Sequence, residues 1–214
     1  MARNNPLEML LPYYGAAAAS GDINNNELFI FGGIVKDTLA DTPTPLLYVF
    51  NEQENSWRKP ITTGVEPPRK SNLQAVVDKN GKMYIMIRRE QLDKMGVIAT
   101  ANAPYNADWK FSYMTQRIGG PNFLFLNDST LCVGSRLYPQ EEVGGTKFHQ
   151  SAVFLTDLNG SVKKIIRVPS GGDASYPGMV IYDGFLWYSY YSSHEEKTNI
   201  YLAKIPLDKL TYIK

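Results

Sequence analysis

The sequence predicts an all-β protein, and three observations support that fold class. Short apolar or alternating runs recur along the 214-residue chain, and clusters of Gly, Asn, Asp and Pro separate them, which is typical of strands and turns. No long stretch repeats apolar residues with the 3.6-residue period of an amphipathic helix. The 14 tyrosines suit the pleated, half-buried surface of a sheet.

The predicted strands fall into four groups that repeat at about 50 residues. The first two groups hold strands at 13–19, 28–31, 46–51 and 57–60, then at 73–78, 83–88, 96–101 and 109–114. The last two hold strands at 122–126, 130–135, 151–157 and 163–168, then at 179–182, 185–191 and 199–205, with a fourth strand left open at 210–213. Each group predicts one four-stranded antiparallel sheet.

A tight turn recurs between the first two strands of every group. We identify these turns as Asn25-Asn26, Asn80-Gly81, Asn127-Asp128 and Asp183-Gly184. Asn-Gly and Asp-Gly pairs accept positive φ at both central positions, as two-residue hairpins require. We therefore expect a two-residue hairpin at each position.

One such sheet cannot bury both of its faces alone, whereas radial stacking packs each sheet on its neighbours. The sequence therefore predicts a β-propeller of about four four-stranded antiparallel blades, a single domain over residues 1–214 with blades at roughly 10–60, 70–115, 120–168 and 176–214. Trp57 and Trp109 take matching places in the first two groups and are expected to pack between blades. A monomeric ring and a ring-closing homodimer both satisfy this arrangement.

Composition excludes several classes of function. Lys and Arg number 22 against 21 for Asp and Glu, so the net charge of +1 gives no electrostatic footprint for nucleic acid or an anionic membrane. No run approaches the roughly 20 apolar residues of a membrane span, and no signal peptide is visible, so we expect a soluble chain of unknown compartment. Cys132 is the single cysteine, and His149 and His194 share no ligand spacing, so we predict no metal and no cofactor.

The N-terminal part, about residues 1–85, resembles kelch repeats. A double glycine, a spaced tyrosine and a tryptophan carry that resemblance, in Leu28-Phe29-Ile30-Phe31-Gly32-Gly33, Leu47-Tyr48-Val49-Phe50-Asn51 and Asn55-Ser56-Trp57. The pattern breaks after Met83-Tyr84-Ile85, where Met86-Ile87-Arg88 replaces the expected Phe-Gly-Gly. The resemblance implies a β-propeller that serves as a protein-binding scaffold.

The remainder, about residues 80–214, resembles sialidase-like propellers of the bacterial neuraminidase-repeat type. The most specific block is Pro169-Ser170-Gly171-Gly172-Asp173-Ala174-Ser175-Tyr176-Pro177-Gly178, followed by Ser189-Tyr190-Tyr191-Ser192-Ser193-His194-Glu195. Since the two resemblances meet inside one hairpin, near residues 79–88, we interpret the chain as a chimera of the two families, of natural or engineered origin. A divergent natural propeller is the alternative.

The second resemblance implies candidate site residues. Sialidases use a tyrosine nucleophile and bind a substrate carboxylate with arginines, whose planar fork suits that group. Tyr176 matches the place of the nucleophile, Glu195 is a candidate carboxylate partner and Asp173 a candidate acid. Arg88 and Arg136 are the candidate substrate-binding residues.

Each candidate also has a structural interpretation. Arg88 could form an ion pair at a strand end, and Arg136 need not line a pocket. Tyr176 could be a packed tyrosine, Asp173 could close a turn, and Glu195 could lie at a solvated hairpin tip.

A sialidase site gathers groups from around a whole ring, and here kelch-like sequence replaces part of that ring. Because catalysis needs positions held to roughly 0.5 Å, we predict a binding scaffold for a protein or glycan ligand, without catalysis. The alternatives are a sialidase-like glycoside hydrolase or glycan-binding protein, and a kelch-type protein-interaction module.

Overall fold

The computed structural model describes most of the chain beyond residue 72 and shorter stretches before it. The described residues are 13–14, 17–22, 27–31, 34–36, 41–43, 47–58, 60–61, 73–90, 92–105, 107–138 and 149–211. The predicted turn Asn25-Asn26 lies outside them. No helix among these residues is long and apolar enough to cross a membrane.

The described residues form 18 strands and one short 3-10 helix. The first nine strands are β1 (Tyr13–Tyr14), β2 (Ala17–Asp22), β3 (Glu27–Phe31), β4 (Ile34–Lys36), β5 (Asp41–Pro43), β6 (Leu47–Asn51), β7 (Ser56–Arg58), β8 (Leu73–Val77) and β9 (Lys82–Ile87). The others are β10 (Met95–Asn102), β11 (Lys110–Arg117), β12 (Asn122–Asn127), β13 (Thr130–Leu137), β14 (Gln150–Asp157), β15 (Val162–Arg167), β16 (Ala174–Tyr182), β17 (Phe185–Ser192) and β18 (Asn199–Pro206). The predicted all-β class is confirmed.

The strands pair into five sheets within the described part of the chain. Three sheets have four strands, in the orders β2-β3-β6-β7, β11-β10-β9-β8 and β12-β13-β14-β15, and two have three, β1-β4-β5 and β16-β17-β18. The pairings whose register is known are antiparallel. The strand predicted at 13–19 is split, because β1 pairs with β4 while β2 pairs with β3.

The last sheet has three strands in the described chain. The sequence left open a fourth strand at 210–213. In the structure, Leu207–Leu210 forms the 3-10 helix, so Leu210 is not part of a strand. Its turn brings Leu210, which is 1% exposed, back onto the core beneath β17 and β18. Burial of this leucine favours the turn over continued extension.

The chain divides into two compact units, each described here by itself. The first unit comprises Met1–Ile87 with Ile98–Phe111, and the second comprises Arg88–Val97 with Ser112–Lys214.

In the second unit, the β12–β15 sheet packs face to face against the β16–β18 sheet. Buried apolar side chains from both sheets form one cluster: Cys132, Val153, Leu155, Val168, Leu186, Tyr188, Tyr190, Ile205 and Leu210. Strand β17 alternates buried and half-buried residues, as a strand with one face on the core must. Burial of these side chains supplies the main stabilisation of the unit.

The two sheets approach each other closely at Gly134. A Cβ at this position would lie 2.7 Å from Pro177 Cγ and Tyr188 Cε2, and 2.8 Å from Met179 Sδ. Only a residue without a side chain allows β13 to lie this close to β16. The contact holds the beginning of β16 over the end of β13, where the candidate site lies.

Candidate functional site

In the second unit, β13 ends where β16 begins and β17 ends, because the neighbouring strands are antiparallel and the two sheets are stacked. Arg136 lies near the end of β13, Asp173 precedes β16, and Tyr191 lies near the end of β17. These three side chains form the centre of a group that we call the strand-end cluster, which also includes Tyr176.

Arg136 is the hub of the strand-end cluster. Its Nε donates to the carbonyl of Ala174 at 2.8 Å, and its Nη2 donates to Asp173 Oδ1 at 2.5 Å and to the Tyr191 hydroxyl at 3.0 Å. The Arg136 side chain is 14% exposed, whereas that of Asp173 is 65% exposed. Three of the five guanidinium N–H groups are thus used internally, and the two on Nη1 have no partner among the described residues.

Tyr191 was not predicted as a site residue. Its hydroxyl lies between Arg136 and Asp173. Burial and the neighbouring Asp173 raise the pKa of Tyr191 to about 12, against the opposing effect of Arg136. The phenol therefore stays protonated and joins the other two groups by hydrogen bonds. The pair Tyr190-Tyr191 gives no sequence signal for this role, because register alone decides which tyrosine faces the core.

Tyr176 lies beside this hub and is 53% exposed. Its ring stacks on Tyr191, with centroids 6.1 Å apart and an interplanar angle of 20°. A Cβ on Gly120 would lie 3.0 Å from the Tyr176 ring, so the ring covers the backbone there. The β16–β17 register shifts between Ser175 and Gly178, and this irregularity turns Tyr176 outward with φ of 51°.

Arg88 belongs to a neighbouring network in the same unit. Its Nε donates to Glu90 Oε1, and Arg117 Nη2 donates to Glu90 Oε2 at 2.9 Å. Burial by itself would lower the pKa of Arg88, but the hydrogen bond to Glu90 and the charges of Tyr138, Glu90 and Tyr176 raise it on balance. Burial opposes the ionised form of Glu90 as well, yet the two arginines lower its pKa. Arg88 is thus ion-paired with Glu90.

Glu195 is held elsewhere. It accepts a hydrogen bond from the Tyr201 hydroxyl at 2.9 Å, and the Tyr201 ring packs against His194 in a tilted arrangement, with centroids 4.7 Å apart and an interplanar angle of 47°. No described hydrogen bond joins Glu195 to Tyr176. The structure therefore brings Arg136, Asp173 and Tyr176 together, whereas Arg88 belongs to the neighbouring Glu90 network and Glu195 is held on a different tyrosine. Among the described residues, no three His, Cys, Asp or Glu side chains could hold a metal ion together.

The chemistry of this surface follows from its charges. The arginines Arg88, Arg117 and Arg136 face the carboxylates Glu90 and Asp173, which leaves one positive charge in excess. The exposed ring of Tyr176 stacks on Tyr191, whose hydroxyl accepts from Arg136. Such a surface can attract one anionic group and stack on an apolar ring face.

The comparisons with known proteins give a likeness of fold. No family model matches the chain, and no curated protein matches it. A solved endo-1,4-beta-xylanase from Bacteroides thetaiotaomicron has a TM-score of 0.52 and 10% identity, over 90% of this chain and 71% of that one. The chain therefore shares its fold, over most of its length, with a protein of very different sequence.

Two further solved structures are less similar. A Trypanosoma rangeli sialidase has a TM-score of 0.41 and 13% identity, over 89% of this chain and 43% of that chain. A neuraminidase-like protein of A/little yellow-shouldered bat/Guatemala has a TM-score of 0.44 and 12% identity, over 91% of this chain and 59% of that chain. The chain thus spans less than two thirds of either neighbour. The kelch resemblance and the chimeric origin remain predictions from sequence, unsupported by these comparisons.

Proposed function

We propose that the chain is a β-propeller scaffold of about four blades whose strand-end cluster binds an acidic sugar without hydrolysing it. The resemblance of residues 80–214 to sialidase-like propellers supports this proposal, as does the face-to-face stacking of the last two sheets. The proposed blades are those predicted from the sequence, at roughly 10–60, 70–115, 120–168 and 176–214. A monomeric ring and a ring-closing homodimer both fit this proposal, and the mass of the protein in solution distinguishes them.

The observation that carries the proposal is the pairing of a positioned guanidinium with an exposed ring. Arg136 is fixed by Asp173, Ala174 and Tyr191, so its unused Nη1 edge has a defined direction. A carboxylate can accept from that edge while the sugar ring lies on Tyr176, which is half exposed. Arg88 and Arg117 share Glu90, so this neighbouring network of the same unit contributes one net positive charge.

The same contacts favour binding over hydrolysis. A phenol becomes an effective nucleophile only beside a base or another activating group. The candidate base Glu195 is hydrogen-bonded to Tyr201, and Asp173 is ion-paired with Arg136. Neither carboxylate is hydrogen-bonded to Tyr176 in the described structure.

The test combines binding and turnover. We expect sialyllactose, but not neutral lactose, to shift the amide resonances of Gly119, Gly120 and Asp173–Tyr176 in a saturable manner. We expect no release of the fluorophore from a fluorogenic sialoside. Arg88→Gln and Tyr176→Ala should each weaken sialyllactose binding at least threefold, since one removes a charge and the other a stacking face.

Arg167→Gln is the matched control, because Arg167 is an exposed arginine on β15. It should bind sialyllactose like the wild type. Lactose binding as tight as sialyllactose binding would contradict an anion-directed site. Turnover of the sialoside that Tyr176→Phe abolishes would replace the proposal with the sialidase-like hydrolase.

A further inference from the structure

The first unit contains a cavity of about 430 Å³, which lies at the end of β10. None of the residues that line it belongs to the strand-end cluster. The residues that could bind a ligand there are Lys82, Thr100, Asn102, Asp108 and Lys110. Lys82 begins β9, Thr100 and Asn102 end β10, and Lys110 begins β11. The cavity therefore lies where three neighbouring strands of one sheet begin or end.

Hydrogen bonds hold the connection between β10 and β11 in place at this cavity. Tyr105 is 3% exposed and its hydroxyl donates to the Gly81 carbonyl at 2.7 Å. The Tyr105 backbone N–H donates to the Asn102 carbonyl at 2.9 Å, and Trp109 Nε1 donates to the Tyr105 carbonyl at 3.1 Å. One wall of the cavity is thus anchored to the β8–β9 turn and to the end of β10, so that a ligand meets a preformed surface.

This connection also holds non-glycine residues in an uncommon backbone conformation. Tyr105 has φ of 61° and Asp108 has φ of 57°. Such conformations persist only where the surroundings enforce them, and they occur often at binding sites. Asp108 contributes to the cavity wall through this conformation.

The charges of the cavity favour an anion. The charged residues that line the cavity are two lysines, Lys82 and Lys110, and one aspartate, Asp108. The Lys82 Nζ lies 5.1 Å from the centre of the Tyr84 ring, which holds the ammonium group without neutralising it. The Asn102 carboxamide and the Thr100 hydroxyl add uncharged hydrogen-bond donors. The volume lies within the range of small-molecule sites.

We propose that this cavity binds a sugar-sized molecule that carries one anionic group, with Lys82 and Lys110 as its charged ligands. Lysine binds phosphate and carboxylate groups as a compact positive charge, and both groups fit this site. The cavity lies entirely within the first unit, whereas the strand-end cluster lies in the second. Substitutions at different residues therefore test the two sites separately.

The experiment is an NMR titration of the full chain with glucose 6-phosphate, glucuronate and glucose. We expect saturable amide shifts at Thr100–Asn102 and Lys110 with one or both anionic sugars, and none with glucose. Which anionic sugar binds more tightly identifies the preferred group. Equal shifts with glucose, or no saturable shift with either anionic sugar, would overturn the proposal.

Substitutions make the test specific. Lys82→Gln and Lys110→Gln should each weaken binding at least threefold, and a well-dispersed amide spectrum verifies that each variant is folded. Lys94→Gln, at an exposed lysine outside the cavity, should bind like the wild type. Neither cavity variant should alter sialyllactose shifts at the strand-end cluster. An unchanged affinity in both cavity variants would refute the assignment.

Discussion

Tyr191 shows how one hydroxyl can organise several groups. It accepts from Arg136, lies beside Asp173 and supports the Tyr176 ring. A protonated phenol is suited to this position because it donates and accepts at once. Its pKa, raised to about 12, keeps the proton in place throughout the physiological range.

We expect Tyr191→Phe to lower the free energy of unfolding by about 1 kcal/mol, the usual contribution of one hydrogen bond. The variant retains the aromatic ring that supports Tyr176, so the change in the free energy of unfolding measures the contribution of the hydroxyl alone. Urea unfolding monitored by circular dichroism measures the change. Tyr182→Phe is the control, since Tyr182 is 70% exposed, and it should unfold like the wild type. Equal midpoints for the two variants would contradict the role given to Tyr191.

Gly134 controls the spacing of the two sheets in the second unit. We expect Gly134→Ala to destabilise the protein by about 1–3 kcal/mol, because its methyl group would meet Pro177, Met179 and Tyr188 in a packed core. Gly178→Ala is a matched control, since the closest atom there is the movable Ser189 hydroxyl, at 2.5 Å. Thermal unfolding measures the loss of stability in each variant. A smaller loss of stability for Gly134→Ala than for Gly178→Ala would show that the sheets can move apart.

Two turns of the same sequence pattern have the same hydrogen bonds. In 78–82 and in 157–161, the first residue is an aspartate whose Oδ1 accepts from the backbone N–H groups of the third and fifth residues. In each, only the glycine, Gly81 or Gly160, has positive φ. The expected two-residue hairpin at Asn80-Gly81 is therefore wrong, because Asp78 closes a longer loop through its side chain.

The other predicted turns give mixed results. Asp183 and Gly184 have φ of 50° and 75° and connect the paired residues Tyr182 and Phe185, which confirms the two-residue hairpin there. The turn at Asn127-Asp128 is displaced by one residue, because Asn127 itself pairs with Thr130. The backbone N–H and the hydroxyl of Ser129 both donate to Asn127 Oδ1, and these hydrogen bonds explain the shift.

The Asp157 turn makes stability depend on pH. Burial opposes ionisation, but the N–H groups of Ser161 and Asn159 and the ammonium group of Lys163 lower the pKa of Asp157 on balance. A carboxylate with a lowered folded-state pKa stabilises the protein above its unfolded pKa, near 4. That contribution is lost as the pH falls through the folded value.

We therefore expect Asp157→Asn to destabilise the protein more at pH 7 than at pH 3, because at pH 3 the carboxylate of the unfolded chain is largely protonated and part of the stabilisation from the lowered folded-state pKa is lost. Urea unfolding at several pH values measures the difference between the two proteins. A difference that stays constant from pH 7 to pH 3 would show that the charge of Asp157 has no part in the turn.

At the scale of the whole second unit, Cys132 reports on opening of the core. It is fully buried between the stacked sheets, and burial raises its pKa to about 12. Because the thiolate is the reactive form, we expect a thiol reagent to label Cys132 only when the unit unfolds. The labelling rate should rise with urea in parallel with unfolding. Rapid labelling of the native protein would contradict this packing.

The sequence by itself determined most of the strands after residue 72. Alternating apolar runs and Asn, Asp and Gly turns are local signals, so β8–β15 lie close to their predicted positions. The three-stranded sheet β1-β4-β5 was not predicted, since its strands are only two or three residues long. Such short strands carry almost no periodic pattern.

The tertiary structure decided which side chains meet. The sequence put residues 173–178 before a strand, whereas β16 begins at Ala174 and its irregular register turns Tyr176 outward. Packing of β16 on β13 brings Asp173 to Arg136, and the register of β17 chooses Tyr191 over Tyr190. These contacts depend on distances between sheets, and local sequence does not encode distances between residues far apart in the chain.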